Sequence, residues 1–190
     1  HIGRDLAPRV ARRIGAGEHE EAARIAGQGF LLAIAVGAVL AVGSLAGLDA
    51  LFTFMQTDAE VTEQGKLYLG TIAASMPLIF GFSAVNAVFS GAGDTRTTLR
   101  LSGGAVVFAG ILDPFLIYGL GPVPMLGVRG AALATVFSRA VFLGIGLWLL
   151  VNARTGVGMS FPRLRPDLDT WWRILKIGAP ASIVGLVNSV

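Results

Sequence analysis

The stretch that decides the fold runs from Leu67 to Gly93 and reads LYLGTIAASMPLIFGFSAVNAVFSGAG, which is 27 residues without a charged side chain. A helix needs about 20 mainly apolar residues to cross the hydrocarbon of a bilayer. The stretch therefore predicts a membrane-spanning helix. Pro77 lies inside it and predicts a kink, because proline removes a backbone donor and clashes with the preceding turn.

Four further apolar stretches lie on either side of this one. They run from about Ile25 to Leu48, from Leu101 to about Leu120, from Gly130 to Ala153, and from near Ile177 to Val190. They lack the alternation of a membrane β-barrel and are too long for its strands. Because backbone polar groups in lipid must be satisfied internally, the pattern predicts an all-α, polytopic membrane helix bundle.

The composition excludes several classes of protein. Apolar residues make up 54% of the chain and charged residues 14%, against about 25% charged in soluble domains. The chain has no cysteine, which excludes disulfides and thiolate metal sites. Its two histidines, His1 and His19, lie outside the apolar stretches, so no histidine-based metal site or catalytic pair can form at membrane depth. We therefore expect no enzyme, no metal and no cofactor.

Basic residues alternate between the loops and predict the orientation. The loops before the first, after the second and after the fourth apolar stretch hold twelve Lys and Arg, whereas the other two loops hold only Lys66 and Arg129. The positive-inside rule places the twelve on the cytoplasmic side, and "inner" and "outer" refer below to this predicted orientation. Because topology accounts for the basic loops, they predict no nucleic-acid partner.

The longest inner connection, residues 154–176, is basic and contains two prolines. This composition predicts an irregular linker along the surface. Trp171 and Trp172 lie at its end and predict interfacial anchors, because indole rings suit the boundary between lipid and water.

Asp113 is the leading candidate for chemistry at membrane depth. It lies 12 residues after Leu101, which is roughly 18 Å along a helix, and the following Pro114 loosens the helix beside it. Because charge is costly in hydrocarbon, a carboxyl group there can bind and release a proton or bind sodium. The alternative is a structural aspartate that is paired with a cation.

Three other polar residues lie within the apolar stretches. Arg139 is the obvious partner for Asp113, because their estimated depths are similar, and it is otherwise a structural or snorkelling residue. Asn86 can contact a substrate or ion, or it can form a hydrogen bond between helices. Thr135 is expected by default to bond its own helix backbone.

One loop adds a family resemblance. Gly91-Ala-Gly93-Asp94-Thr95-Arg96 resembles the GxGDTR-type loop of MATE (multidrug and toxic compound extrusion) transporters. Further motifs follow in that family's order and cover essentially the whole chain: Arg13–Gly17 before its third helix, Met55–Tyr68 in the outer loop leading to the fourth, Leu112–Pro114 and Ile117–Gly119 in the fifth, Gly127–Thr135 at the start of the sixth, and Ile174–Pro180 at the start of the seventh.

The resemblance implies that the chain holds helices three to seven of a twelve-helix transporter built from two six-helix lobes. Residues 1–153 would be most of the N-terminal lobe without its first helices, 154–176 the cytoplasmic linker between the lobes, and 177–190 the start of the C-terminal lobe. The rest of the same transporter chain would complete the assembly, in the plasma membrane of a bacterial cell.

The resemblance also implies a site and a function. Asp113 would belong to the cation site of the first lobe, and Asn86 and Thr135 match polar positions of the same cavity. Many prokaryotic members place an asparagine four residues before the aspartate; here that position is Ala109, which favours proton over sodium coupling. The implied function is proton- or sodium-coupled antiport that exports cytotoxic small organic compounds by alternating access.

Two alternatives to drug export stay open. A lipid-linked oligosaccharide flippase of the same superfamily should carry more basic groups inside its cavity, and only Arg139 qualifies. A purely structural membrane protein would not need Asp113 at membrane depth.

Overall fold

The computed structural model describes residues 7, 10–11, 19–119, 124–152 and 171. Every regular element within these residues is a helix. In chain order the elements are α1 (His19–Met55), α2 (Ala59–Ala74), α3 (Met76–Gly91), α4 (Thr95–Tyr118) and α5 (Val128–Val151). The expected all-α bundle is confirmed. The fifth apolar stretch and the linker lie outside the described residues, except for Trp171.

Membrane-spanning length is reached in two ways. The helices α1, α4 and α5 are each long and apolar enough to cross a bilayer, and α2 and α3 pass the same test only as a bent pair, which we treat as the fourth span. With 37 residues, α1 is about 55 Å long, which exceeds the roughly 30 Å hydrocarbon core. Its ends therefore extend beyond the hydrocarbon.

The fourth span is broken at Ser75. The axes of α2 and α3 differ by 46°, and Pro77 occupies the first turn of α3, where its missing N–H is least costly. The kink predicted at Pro77 is thus confirmed, with the break two residues before the proline. Ser75 lies at the break with its hydroxyl donating to Ile72 O at 2.8 Å.

Gly37 of α1 packs directly against this break. A Cβ atom at Gly37 would come within 2.7 Å of Pro77 Cα and 2.9 Å of Met76 O, so only glycine allows the approach. Two helical turns further along α1, Ser44 Oγ donates to Met76 Sδ at 3.9 Å. The break is therefore supported from one side by α1.

The inner half of the bundle contains the core. Phe89 of α3 is fully buried, and the buried residues around it come from α1, α3, α4, α5 and the segment before α1; they are Val10, Ala26, Phe30, Ala33, Ala84, Val85, Ala87, Val88, Leu101 and Leu150. Gly146 of α5 lies so close to Val85 that a Cβ atom would come within 2.7 Å of its Cγ1. Glycine and alanine here let apolar helices approach closely.

The outer half holds a hairpin of α1 and α2. Gly65 lies beneath the ring of Phe52, where a Cβ atom would come within 2.5 Å of Cζ, and Lys66 Nζ lies 2.6 Å from Asp49 Oδ1. Because Asp49 is exposed, this ion pair contributes little to stability. The packing of Gly65 against the ring of Phe52 is therefore the main contact between α1 and α2.

Trp171 makes a contact with α1 that the sequence did not indicate. Its indole Nε1 donates to Gln28 Oε1 at 3.0 Å, and Gln28 is only 2% exposed. The role of Trp171 as an interfacial anchor stays a prediction. Trp172 lies outside the described residues.

Candidate functional site

The site begins with the close contact between α4 and α5. Gly130 of α5 lies against the backbone of Leu116, and Ser138 Oγ, fully buried, donates to Ala105 O at 2.6 Å. The loop between the helices adds a bond from Leu126 N to Leu116 O at 3.1 Å. These contacts fix the antiparallel register of the two helices, and the register decides which polar side chains lie level with one another.

Asp113 lies on the side of α4 that faces α3. Ser102, which hydrogen-bonds to α3, precedes it by 11 residues, and 11 residues at 3.6 per turn bring a side chain back to within about 20°. Within the described residues, Asp113 Oδ1 is buried and has no hydrogen-bond partner. An acceptor without a donor is costly in a folded protein, so this carboxylate is available to a ligand.

Thr135 and Arg139 lie on the side of α5 that faces α3. Gly146, which packs against Val85 of α3, is seven residues beyond Arg139 and 11 beyond Thr135, so each of them lies within about 20° of Gly146 around the helix. The exposed apolar side of α5 carries Phe137, which is two residues from Arg139 and hence about 160° away. Arg139 therefore points into the bundle rather than toward lipid.

Neither side chain on α5 has a polar partner among the described residues. No hydrogen bond or ion pair of Arg139 is formed within this part of the chain. Thr71 and Ser83 donate to the carbonyl four residues back, whereas Thr135 makes no such bond. The default expectation for Thr135 is therefore wrong, and its hydroxyl remains available.

The register separates Asp113 from Arg139. Asp113 lies three residues before Leu116, so it is level with residues close to 133 on α5. Thr135 is then about 3 Å further inward, and Arg139 about 9 Å, at 1.5 Å per residue. The similar depths expected from sequence alone are corrected by this register, and the described structure contains no ion pair between the two residues.

The break at Ser75 lies between the levels of Asp113 and Arg139 along the bundle. Gly81 of α3 faces Leu143 of α5, as Val85 faces Gly146, so the parallel helices keep an offset of about 62 residues. Arg139 is therefore level with residues 77–78, which form the first turn of α3. Asp113, Thr135 and Arg139 thus lie on the sides of α4 and α5 that face the broken span, within about 9 Å of one another along the bundle. We call the region between them the Asp113–Arg139 notch.

Asn86 lies outside the Asp113–Arg139 notch. Its Nδ2 donates to Phe82 O at 3.0 Å, and its Oδ1 accepts from Ser102 Oγ at 3.1 Å. Ser102 lies about 16 Å along α4 from Asp113. Of the two roles that the sequence left open for Asn86, the structure shows the hydrogen bond between helices. Thr98 and Ser90 continue this polar seam toward the inner loop.

Three residues of the loop from Gly91 to Arg96 have structural roles, namely Gly91, Gly93 and Asp94. A Cβ atom at Gly91 would come within 2.5 Å of Ala7 O, and Gly93 has a φ of 80° that favours glycine. Asp94 caps α4 by accepting from Thr97 N at 3.0 Å. Hydrogen bonds from Thr97 lower the pKa of Asp94 below its ordinary value, and the positive charges of Arg100 and Arg96 add to this effect.

Sequence reasoning missed two features of the site. The first is Ser102, whose 11-residue spacing from Asp113 places both on one face of α4 and could have indicated a shared side. The second is the level of the break beside Asp113 and Arg139. No sequence signal gave it, because it depends on the offset between α3 and α5.

Comparison with known proteins agrees with this architecture. The sequence pattern of the MatE family matches residues 6–116. "Probable multidrug resistance protein NorM" of Thermotoga maritima is 33% identical over 184 residues, which are 95% of this chain and 39% of that protein. An "FAD transporter" of Shewanella oneidensis is 28% identical over 191 residues, 98% of this chain and 41% of that protein.

Solved structures of this kind superpose well on the chain. A multidrug resistance MATE family transporter in an outward-facing conformation matches with a TM-score of 0.85 and 28% identity, over 97% of this chain and 40% of that one. The inward-facing conformation matches with a TM-score of 0.81 and 29% identity, over 95% and 40%. The chain spans about two fifths of the length of the relatives it matches. With three helices and one bent pair of membrane-spanning length, and with the family pattern over more than half of its length, this chain belongs to the MatE family of multi-pass membrane transporters.

Proposed function

We propose that the chain is part of a cation-coupled antiporter that exports small organic compounds by alternating access, with Asp113 as the coupling residue. The observation that carries the proposal is the buried Oδ1 of Asp113, which has no partner among the described residues. A fully paired aspartate would be held in one protonation state. An unpaired one can exchange its proton or bind a cation at little structural cost.

The surroundings of Asp113 support coupling to motion. Pro114 follows it inside α4, and the helix registers place the break at Ser75 about 6 Å from its level along the bundle. Proline leaves the helix without one backbone bond, so a change of charge at Asp113 is placed beside two weak points of the bundle. Secondary transporters commonly build their sites at such broken helices.

Proton coupling is the form that we propose. Ala109, one turn before Asp113, has no side-chain donor or acceptor, so α4 supplies no second oxygen ligand there. Sodium prefers several oxygen ligands, whereas a proton needs only the carboxylate. The hydroxyl of Thr135 is the remaining oxygen that lies nearest in register.

The assignment of lobes follows as part of the proposal. We assign residues 1–153 to the N-terminal lobe, 154–176 to the linker between lobes, and 177–190 to the start of the C-terminal lobe. On this assignment the 190 residues alone lack the second wall of the transport path. We expect vesicles that contain only this segment to show no cation-dependent flux of a drug such as ethidium.

The test is Asp113→Asn in the intact transporter. The variant keeps size and hydrogen bonding but cannot ionise, so we expect normal amounts in the membrane and loss of ethidium efflux driven by an imposed pH gradient. Separate pH and sodium gradients identify the coupling ion. Efflux by Asp113→Asn that still follows either gradient would exclude the coupling role.

Arg139→Gln tests the paired alternative. If Asp113 merely neutralises Arg139, each single change should destabilise the protein and the double change should restore its yield. Because the register separates the two by about 9 Å, we expect the double variant to remain as inactive in coupled efflux as Asp113→Asn alone.

A further inference from the structure

We propose that Arg139 is the binding group for an acidic part of the transported compound, a carboxylate or a phosphate. The inference rests on the proposed function, because it names the substrate class of the same cavity. It extends the expected substrates beyond organic cations to compounds that carry an acid on an organic body.

The first step is the direction of the side chain. Arg139 is about 160° from Phe137, which is 56% exposed on the apolar side of α5. It shares the side of Gly146, which packs against Val85. A guanidinium directed into the bundle at membrane depth does not serve as a lipid-interface anchor.

The second step is the lack of an internal partner. No carboxylate or carbonyl among the described residues accepts a bond from Arg139, and the register places Asp113 about 9 Å away along the bundle. The guanidinium presents five N–H donors in a planar fork that matches carboxylate and phosphate groups. An unpaired fork of this kind is a ready site for an acid.

The third step is the character of the notch around it. Thr135, one turn from Arg139, presents a hydroxyl that makes no hydrogen bond within the described residues. Leu143, one turn to the other side, packs against the apolar core. The position thus combines one fixed positive charge, one free hydroxyl and an apolar surface, which suits an organic acid better than a bare inorganic anion.

The nearby Asp113 leads to a further prediction, which would not hold if Arg139 had only a structural role. When ionised, Asp113 repels an acid bound at Arg139. If the charge separation equals the backbone offset of about 9 Å, Coulomb's law gives a repulsion that corresponds to roughly a twofold to twentyfold change in affinity, for effective dielectric constants between 80 and 20. Removing the charge of Asp113 should therefore tighten the binding of an acid.

The experiment measures equilibrium binding to the purified, intact transporter. Flavin mononucleotide, which carries a phosphate, is compared with riboflavin, which has the same ring system without it, by quenching of flavin fluorescence. We expect flavin mononucleotide to bind more tightly than riboflavin. Arg139→Gln should weaken its binding by about tenfold or more and leave riboflavin within twofold. Arg139→Lys should restore part of the affinity, and Asp113→Asn should increase it.

Four outcomes would overturn the proposal. They are equal affinity for the two flavins, absence of binding of flavin mononucleotide, an unchanged affinity in Arg139→Gln, and displacement of the nucleotide by a fluorescent phosphatidylglycerol that itself binds through Arg139. The last would assign the position to a lipid headgroup. Ethidium efflux by the same variants is measured in parallel, so failure of acid binding is distinguished from failure of coupled transport.

Discussion

The inner and outer halves of the bundle are built on different principles. In the inner half, α3 lies within a continuous core, and its polar residue Asn86 has partners for both ends of its amide. In the outer half, the span is broken at Ser75, and Asp113 and Arg139 have no partner among the described residues. The contrast shows that one set of helices can be tightly packed at one depth and carry unpartnered polar side chains at another.

The largest effect is expected in the inner core. Phe89 is fully buried, so Phe89→Ala should lower the free energy of unfolding by about 3–5 kcal/mol through the cavity it leaves. SDS-induced unfolding of the purified protein measures this. The matched control is Phe54→Ala, because Phe54 is 86% exposed at the outer end of α1; we expect less than about 0.5 kcal/mol. Similar losses for both would contradict the division into halves.

The support of the break gives the next largest effect. Gly37→Ala forces a Cβ atom against the backbone at Pro77, and overpacking of this kind costs about 1–3 kcal/mol. Gly43→Ala is the control, because nothing lies within 4 Å of a Cβ atom there. Thermal stability and ethidium efflux should both fall for Gly37→Ala alone. An unaffected Gly37→Ala variant would show that α1 does not hold the break.

The contact between α4 and α5 should show a smaller loss. Ser138→Ala removes a buried hydroxyl that donates to Ala105 O, and hydrogen bonds between membrane helices contribute about 0.6 kcal/mol on average, up to about 1.7. The expected result is a slight fall in thermal stability with coupled efflux preserved. Loss of efflux without loss of stability would show that Ser138 takes part in transport and is not only a packing residue.

The smallest expected effect on stability is that of Asp94→Asn, and it depends on pH. The pKa of Asp94 is lowered in the folded protein by hydrogen bonds from Thr97, so its contribution is present above the unfolded value of about 4 and is lost as the pH falls through the folded value. Asp94→Asn keeps the helix cap and removes the charge. The free energy of unfolding above pH 5 should change by only a few tenths of a kcal/mol. The loss of stability that protonation of Asp94 causes at lower pH should disappear. A variant with unchanged acid dependence would contradict this role.

Much of the architecture follows from apolar length alone. The 27 uncharged residues and the position of Pro77 predict both the span and its bend, because a bilayer and a proline impose constraints that do not depend on neighbours. The register between helices is different. It depends on where Gly130 and Gly146 allow backbones to approach, and no periodicity within one helix encodes it, so the apparent match in depth between Asp113 and Arg139 was wrong.

The candidate site was predictable in its residue types and not in its grouping. Charge at membrane depth identifies Asp113 and Arg139 without any structure. Asn86 and Thr135 were predicted from the same reasoning, but the structure satisfies the amide of Asn86 and leaves the hydroxyl of Thr135 free. Whether a neutral polar group is used internally depends on a partner such as Ser102, which lies on another helix.

The break at Ser75 has a consequence for biogenesis. Each of α2 and α3 has 16 residues and measures about 24 Å, less than the roughly 30 Å of hydrocarbon. Neither half can be released into lipid as an independent span, so the insertion machinery must accept the 33 residues from Ala59 to Gly91 as one unit. Pro77 places the bend inside that unit, and Gly37 is the position at which α1 accommodates it.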